Sequence, residues 1–586
     1  MPNTVFILWD IIYIRCMTKI KLLALALLAG HYSPAQVPNR YDIVITEIMA
    51  DPLPAVGLPN AEYIEIRNVS TTAFNISGWK LSDATTTATV SSSFLLQPDS
   101  SLILCANSNV AALSVYGRTI GIPSFPSINN DGDVLTLRSP QNKVIHTVAY
   151  TSDWYQNEAK KEGGWSLEII DPKNPCTGKD NWKASTNNLG GTPGKVNSVN
   201  SINTDTTLPQ LLRTFTVDSA TVVLVFNEPL DSASGAAVSS YSLPGYTILS
   251  ATTIAPQFQR VQLKLASSLL ASTVYTISVT NVSDCKGNAI GAYNKARIGL
   301  PQTPGVEDVV INEILFNPKT PGSDYVELYN KSKKVIDASK LYIANKSSAG
   351  SVASLKKLAD EPLCIFPGDY MVVTGDGDVL KQQYLVKNPD GLLPLSSLPS
   401  FPDDEGDVVL VDVNGTIVDE VRYKDDWHFA LIDNKDGVAL ERIDPAGKSG
   451  DKNNWHSAAS TVGFGTPTYK NSQYKLVDSV NAVIEVLPKI FSPDNDGTDD
   501  IATVSYKVEG SGYVANVTIF DGGGRIVKYL VRNALLGLSG KWNWDGLGER
   551  DQKLAIGTYI VFTEIFNLQG KRKAFKNVVV LARKPN

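Results

Sequence analysis

Histidine, methionine and cysteine are scarce in this chain of 586 residues, which has 4, 4 and 5 of them. Beyond residue 40 the sequence has no long Ala, Leu, Glu and Lys runs at helical spacing, so it excludes a helical bundle and favours short strands. The scattered cysteines are too few for a disulfide-stapled scaffold. A net charge of −6 provides no basic surface, so we expect no nucleic-acid partner.

Common catalytic motifs are also missing. The sequence has no His-Glu-x-x-His, no Gly-x-Ser-x-Gly, no phosphate loop and no Cys-x-x-Cys. After the N-terminal region only His146, His428 and His456 remain, and we expect His428 to be a loop or surface histidine. The sequence therefore predicts a protein that is not an enzyme.

The first 35 residues have the layout of a secretory signal peptide. Lys19 and Lys21 precede the apolar run Leu22–Ala29, and small residues follow up to a cleavage site after Ala35. An uncleaved N-terminal anchor is the alternative, although charges interrupt the ~20 apolar residues that a membrane helix needs. No later stretch is long and apolar enough to span a bilayer. We expect a secreted or outer cell-surface protein without a transmembrane span in its mature chain.

One series of motifs occurs twice in the same order. Each copy opens on a strand that contains a glutamate and ends with Leu-Glu-x-Ile-Asp-Pro, Asn-Trp and Gly-Thr-Pro. The offset between matched positions changes by only a few residues, as expected of a duplicated domain. The matched segments are Asp42–Ile48 with Asp308–Ile314, Glu62–Asn68 with Asp324–Asn330, Pro123–Pro126 with Pro399–Pro402, Gly132–Leu137 with Gly406–Val411, and Leu167–Pro172 with Leu440–Pro445.

The segments within each copy alternate apolar and polar residues with a period of two, as strands do. They are short and are separated by turn-forming residues. Asn130-Asp131-Gly132 and Asn414-Gly415 predict hairpin turns. Each copy is therefore predicted to be an antiparallel β-sandwich.

The repeated motifs resemble the lamin tail domain, an Ig-like sandwich. The resemblance includes the opening strand, the Glu62–Asn68 segment and Ser77-Gly78-Trp79-Lys80-Leu81. The second copy departs at Ala338-Ser-Lys-Leu-Tyr, where the Gly-Trp pair is lost.

Each copy is followed by a different module. Phe226-Asn-Glu-Pro229 and Asp284-Cys-Lys-Gly-Asn288 resemble motifs of bacterial Ig-like domains. Trp544-Asp-Gly546 and Gly557-Thr-Tyr559 are similar to the Ig-like domain of the flagellar hook-capping protein and to C-terminal sorting domains of gliding bacteria. The resemblances imply an all-β chain of four Ig-like antiparallel β-sandwich domains in series. The expected order is a signal peptide (1–35), a lamin tail-like domain (36–200), a bacterial Ig-like domain (205–300), a second lamin tail-like domain (306–474) and a C-terminal Ig-like or sorting domain (483–586).

Two glutamates recur at matched positions of the copies: Glu47 with Glu313, and Glu65 with Glu327. Recurring carboxylates could act as an acid/base pair. We favour a structural role, in which they bind backbone N–H groups or basic neighbours, because no nucleophile or metal-binding histidine accompanies them.

A dense acidic loop is the best candidate metal site. Asp494, Asp496, Asp499 and Asp500 supply hard oxygen ligands around Gly497, and calcium loops need such ligands and a sharp turn. The spacing is not that of an EF-hand. A solvated turn without metal is the alternative, and no other cofactor is expected.

The cysteines suggest a disulfide within the first copy. Cys105 aligns with Thr374 and Cys176 aligns with Ser449, so the second copy lacks both cysteines together. Joint loss is what a bonded pair predicts, and an exported protein permits it. We therefore predict a Cys105–Cys176 disulfide and expect Cys285 and Cys364 to be unpaired.

The expected function is that of a non-catalytic, exported surface, adhesion or scaffold protein. Its partners would be a secretion machinery, which reads the C-terminal domain, and an extracellular protein or glycan. The alternative is an accessory or catalytic component of a secreted hydrolase of the nuclease or phosphoesterase class, because bacterial lamin tail domains often accompany such enzymes.

Overall fold

The computed structural model describes residues 37–474, 483–567 and 572–583. The predicted signal peptide lies outside these residues. Helices are short within the described part of the chain, and none of them is long and apolar enough to cross a membrane. The α-helices are α1 (Val110–Leu113), α2 (Ser232–Gly235) and α3 (Gly377–Gln383).

The first module, residues 37–200, is a sandwich of two main sheets. Six strands in the order β12-β11-β1-β2-β7-β8 face four in the order β10-β9-β4-β5, while β3 and β6 form a small separate pair. Buried Ile, Leu, Val and Trp side chains of both large sheets form one core. Its strands are β1 (Ile43–Met49), β2 (Tyr63–Asn68), β3 (Phe74–Asn75), β4 (Lys80–Ser82), β5 (Thr87–Thr89), β6 (Leu95–Leu96), β7 (Ser101–Ala106), β8 (Thr119–Ile122), β9 (Gly132–Arg138), β10 (Val144–Thr151), β11 (Leu167–Ile169) and β12 (Trp182–Ala184).

The second module, residues 205–300, is a smaller sandwich with its own core. A four-stranded sheet in the order β13-β14-β17-β16 packs on a three-stranded sheet in the order β15-β18-β19. The strands are β13 (Leu211–Asp218), β14 (Thr221–Phe226), β15 (Tyr241–Ser242), β16 (Ile248–Thr253), β17 (Arg260–Leu265), β18 (Tyr275–Val279) and β19 (Lys295–Ile298).

The third module, residues 306–474, repeats the topology of the first. Six strands in the order β27-β26-β21-β20-β30-β31 face four in the order β24-β23-β28-β29, and β22 pairs with β25. The strands are β20 (Val309–Leu315), β21 (Tyr325–Asn330), β22 (Ile336–Asp337), β23 (Leu341–Lys346), β24 (Val352–Lys357), β25 (Cys364–Ile365), β26 (Tyr370–Thr374), β27 (Leu392–Pro394), β28 (Glu405–Asp412), β29 (Ile417–Lys424), β30 (Leu440–Arg442) and β31 (Trp455–Ser457).

The fourth module begins at residue 483. Sheets in the orders β32-β34-β37 and β33-β39-β38-β35-β36 enclose a core around Trp544. The strands are β32 (Val483–Leu487), β33 (Ile490–Phe491), β34 (Ala502–Lys507), β35 (Tyr513–Asp521), β36 (Ile526–Leu535), β37 (Ser539–Trp544), β38 (Gly557–Asn567) and β39 (Arg572–Leu581).

The predicted all-β sandwich fold is confirmed, with local departures. The pairs β7–β8, β26–β27 and β33–β39 are parallel rather than antiparallel. Asn414-Gly415 closes the β28–β29 hairpin, with Gly415 at φ +82°. The hairpin predicted at residues 130–132 is wrong, because this segment leads into β9 and the β9–β10 turn lies at Ser139–Lys143.

Candidate functional site

A β-bulge places the repeated glutamates on the outer face of each six-stranded sheet. In β1, Ile45 pairs with Ile66, whereas Glu47 pairs with Glu65, so the register shifts between them. The same shift separates Ile311 from Glu313 in β20. Because a shift of one residue exchanges the two faces of a strand, the isoleucines remain in the core while the glutamates point away from it.

Three glutamates meet side by side on this face. Glu47 pairs across the sheet with Glu65 on one side and with Glu168 on the other. Glu313 likewise pairs with Glu327 and Glu441. We call these trios the first and second glutamate clusters. All six side chains are buried, at 0 or 1% exposure.

The C-terminal segment of each lamin tail-like module covers its cluster. In the first cluster Glu47 Oε1 accepts hydrogen bonds from the backbone N–H of Thr192 (2.7 Å), Tyr63 Oη (2.7 Å) and Ser166 Oγ (2.6 Å). Glu65 Oε2 accepts from the backbone N–H of Gly194 at 2.7 Å. Thr192 belongs to the Gly-Thr-Pro motif and Gly194 directly follows it. This repeated motif therefore binds the repeated glutamates.

The second cluster makes the equivalent contacts. Glu313 Oε1 accepts from the backbone N–H of Thr466 at 2.9 Å and from Tyr325 Oη at 2.6 Å. Glu327 Oε2 accepts from the backbone N–H of Thr468 at 2.6 Å. The match extends the duplication from sequence to individual hydrogen bonds.

The glycine of the Gly-Thr-Pro motif is required by close packing. A Cβ atom added to Gly191 would lie 2.7 Å from both Glu47 Oε1 and Tyr63 Oη. A Cβ atom at Gly465 would lie 2.7 Å from Tyr325 Oη. Any larger residue would therefore push the C-terminal segment off the glutamates.

Burial changes the protonation of the first cluster. Burial, followed by the charges of Glu65 and Glu168, raises the pKa of Glu47 to about 8. Burial also raises the pKa of Glu65 to about 7, against hydrogen bonds that lower it. Glu47 Oε1 already accepts three hydrogen bonds, whereas Oε2 has no partner within the described residues and is the oxygen left to hold a proton at neutral pH.

This geometry matches the structural interpretation of the repeated glutamates. Their backbone N–H partners are found, but no ion pair within the described residues includes them; Arg67 only lowers the pKa of Glu65 from a distance. A general acid or base must reach its substrate, and these side chains are enclosed by their own module. Sequence reasoning missed Glu168 and Glu441, although both stand in the repeated Leu-Glu-x-Ile-Asp-Pro motif and could have been found there.

The acidic loop of the fourth module is only partly assembled as a metal site. Asp494, Asp496 and Asp500 each offer an oxygen within 4.8 Å of the others. Asp499 is not part of this group, and it adopts φ +52° in the turn. Asp500 instead accepts backbone N–H groups of Asn495 and Gly497, as in a hydrogen-bonded turn. Calcium binding by this loop stays a prediction.

The predicted Cys105–Cys176 disulfide is wrong. Cys176 is bonded to Cys285 of the second module, with a Cα–Cα distance of 6.1 Å, and Cys105 is a buried free thiol. Cys105 lies in β7 opposite Tyr63 and packs in the apolar cluster of the outer sheet face. Cys364 is free, as expected, but Cys285 is not.

Ser449, which stands in the second copy where the first has Cys176, makes a hydrogen bond of its own. Ser449, the counterpart of Cys176, donates to the buried Asp419. Asp419 accepts the backbone N–H of Ile311 and pairs with Arg442. The first module uses His146 Nδ1 to accept the equivalent N–H of Ile45 at 2.8 Å. Ser449 therefore has a local hydrogen-bonding role in the second copy that is unrelated to a disulfide.

His428 lies in a loop, as expected, but it is not a surface residue. It is 5% exposed, its ring is tilted against that of Phe316 with centroids 5.4 Å apart, and its Nδ1 lies 2.9 Å from Ser457 Oγ. Burial lowers its pKa to about 4, so the ring is neutral at neutral pH.

The sandwiches and their internal hydrogen-bond networks define a modular all-β protein. The lamin tail domain model matches residues 36–152 and 302–425, and the bacterial Ig-like domain model matches residues 200–297. The chain therefore contains two lamin tail domains and one bacterial Ig-like domain, as the resemblance predicted. The first match ends before β11 and the second before β30. The strands and C-terminal segments that complete the glutamate clusters therefore lie beyond the matched residues.

No curated protein matches the chain. Among solved structures it is similar to the N-terminal part of the bacterial S-layer protein SbsC, at 14% identity over 28% of this chain and 40% of that chain, with a TM-score of 0.16. It is similar to a DUF4876 family protein from Bacteroides thetaiotaomicron, at 13% identity over 35% and 83% of the two chains, with a TM-score of 0.17. A tetra-tandem repeat from the extending region of a large adhesion protein matches at 11% identity over 92% and 99%, with a TM-score of 0.13.

Proposed function

We propose that this chain is a non-catalytic, exported surface or scaffold protein that presents its modules to an extracellular protein or glycan. The observation that carries the proposal is the use of the repeated glutamates. In both lamin tail domains these carboxylates bind the C-terminal segment of their own domain and are buried. The strongest candidates for acid–base chemistry thus serve to hold the fold together.

The junction between the second and third modules is held by ion pairs. Arg297 makes a bidentate pair with Asp369, with both N–O distances at 2.8 Å. Glu361 pairs with Arg213 at 2.7 Å and also with Arg260. Bidentate and shared pairs fix orientation better than single surface pairs do, although each remains partly exposed.

The junction between the third and fourth modules is more apolar. Phe429 packs with Val514 and Leu535 of the fourth module. The buried Gln473 Nε2 donates to Leu536 O at 3.1 Å, and Ser460 Oγ donates to Leu535 O at 3.0 Å. Contacts of this kind at successive junctions support a scaffold, in which the modules stay in fixed contact.

Export is supported by the Cys176–Cys285 disulfide, because such bonds persist in oxidising compartments outside the cytosol. The signal-peptide layout of residues 1–35 and the sorting-domain resemblance of residues 483–586 agree with it. In this proposal a secretion machinery recognises the fourth module.

Surface proteolysis of intact cells tests export. Cells producing the full chain should lose the protein to added protease, whereas cells producing a chain that ends at residue 474 should retain it inside. A cytosolic marker controls for lysis. Protection of the full chain in intact cells would contradict the proposal of surface exposure.

An activity screen tests the absence of catalysis. Purified protein from residue 36 onward is incubated with nucleic acids, phosphoesters and glycans, and we expect no turnover above the buffer blank. Turnover that is abolished by Glu47→Gln or Glu313→Gln would instead favour the secreted hydrolase.

A further inference from the structure

Three carboxylates converge where the first lamin tail domain meets the Ig-like domain. Asp205 lies at the start of the second module, Glu228 is the second residue after β14, and Asp284 precedes the disulfide-bonded Cys285. Each residue offers an oxygen that lies within 4.8 Å of the oxygens of the other two. We call these three residues the junction triad.

The triad contains a buried carboxylate oxygen that lacks a partner. Glu228 is 7% exposed, and its Oε1 accepts no hydrogen bond from any described residue. A buried acceptor without a partner is costly, and such atoms mark sites where an ion or ligand completes the structure.

A cationic side chain near the triad, Arg40, has other partners. Arg40 lines the same small cavity of about 110 Å³ as Glu228. Its guanidinium donates to Leu230 O at 2.8 Å and lies over the ring of Phe258. Its guanidinium is thus engaged with Leu230 and Phe258, and no ion pair within the described residues joins it to the triad.

The other two carboxylates are held in place by the chain. Asp284 Oδ1 accepts the backbone N–H groups of Lys286 and Asn288, at 2.8 and 2.9 Å. Asp205 Oδ2 accepts Thr177 Oγ1 of the first lamin tail domain at 2.7 Å. Thr177 and Asp284 are chain neighbours of the two bonded cysteines, so the disulfide fixes both sides of the triad.

We propose that the junction triad binds a calcium ion, which joins the first lamin tail domain to the Ig-like domain. Calcium takes six to eight oxygen ligands in flexible geometry, and three carboxylates that converge at a protein junction provide its preferred ligands. Magnesium demands a stricter octahedral shell and keeps more of its water. Occupancy by calcium in the organism rests on the proposed export, but binding itself is measured on purified protein and does not depend on export.

Calorimetric titration of the purified full chain tests the site. Protein stripped with EDTA is titrated with calcium chloride, and we expect a dissociation constant on the order of 10⁻⁴–10⁻³ M, as in extracellular calcium modules. Glu228→Gln should weaken this binding at least tenfold. Glu485→Gln, an exposed position of β32 outside both acidic clusters, is the matched control and should leave this binding unchanged.

Thermal unfolding separates loss of the site from loss of the fold. Calcium should raise the unfolding midpoint of the first two modules in the parent chain and not in Glu228→Gln. In EDTA, Glu228→Gln should unfold no earlier than the parent, because the substitution removes repulsion among buried carboxylates. Absence of calcium binding by the parent, parent-like binding by Glu228→Gln, or an equal response to magnesium would overturn the proposal.

Discussion

Replacing Glu47 with glutamine should remove a pH dependence from the stability of the first lamin tail domain. The pKa of Glu47 is raised by burial to about 8 in the folded protein, from an ordinary value of 4.5. Between pH 4.5 and pH 8 the Glu47 carboxyl is therefore protonated in the folded state and ionised in the unfolded state. Rising pH therefore favours unfolding, and stability that is fully present below about pH 4.5 is lost as pH rises to about 8.

The magnitude follows from the size of the pH interval. One proton contributes ~1.36 kcal/mol for each pH unit. Since Glu47 is already half ionised at pH 8, the wild-type domain should lose about 2 kcal/mol of its free energy of unfolding between pH 6 and pH 8. Glutamine is neutral at every pH and keeps an oxygen for Thr192, Tyr63 and Ser166. Glu47→Gln should lie within about 1 kcal/mol of wild type at pH 6 and be the more stable protein at pH 8.5.

Hydrogen–deuterium exchange measured by mass spectrometry is suited to this test, because it reports each module separately in the intact chain. Peptides from β1 and β2 report the substituted domain. Peptides from β20 and β21 of the unsubstituted third module are the internal control. Comparing the two proteins at one pH cancels most of the intrinsic rate. A loss of protection in Glu47→Gln that is equal at pH 6 and pH 8.5 would refute the proposed protonation of Glu47.

Two further predictions concern contacts that differ between the copies. Non-reducing peptide mapping should recover a linked Cys176–Cys285 peptide, and a disulfide that contains Cys105 would contradict the assignment. Cys285→Ser should destabilise the junction by about 5 kcal/mol, because the bond closes a sequence separation of 109 residues. Arg442→Ile should cost about 3–5 kcal/mol, measured by thermal unfolding, because it leaves Asp419 buried without its cation. Adding Asp419→His, the arrangement of the first copy, should recover most of that loss, and simple additivity of the two changes would speak against the coupling.

The duplication was predictable from sequence almost to individual side chains. Glu47 and Glu313 stand at matched positions, and each pairs with the matched second glutamate in the same strand register. The Gly-Thr-Pro motifs were visible as repeats, but their role was not. Nothing in a linear pattern shows that a motif 145 residues after Glu47 returns to bind it.

Partner choice among the polar residues was harder to predict. His146 and Asp419 accept the equivalent backbone N–H groups of Ile45 and Ile311, although one is an imidazole and the other a carboxylate, because either group can act as the acceptor. The junction triad is a similar case. Its three residues are far apart in sequence and two of them stood in recognised motifs, yet only folding brings their oxygens within 4.8 Å.

The sequence by itself determined the class of fold, the duplication and the succession of modules, because strand periodicity, turn residues and repeated motifs are local properties. The tertiary structure decided which distant side chains meet. Cys176 pairs with Cys285 across a module junction, and the glutamates are buried under the end of their own domain. Such contacts depend on how sheets pack and how modules abut, and neither property is encoded in the periodicity of any single segment.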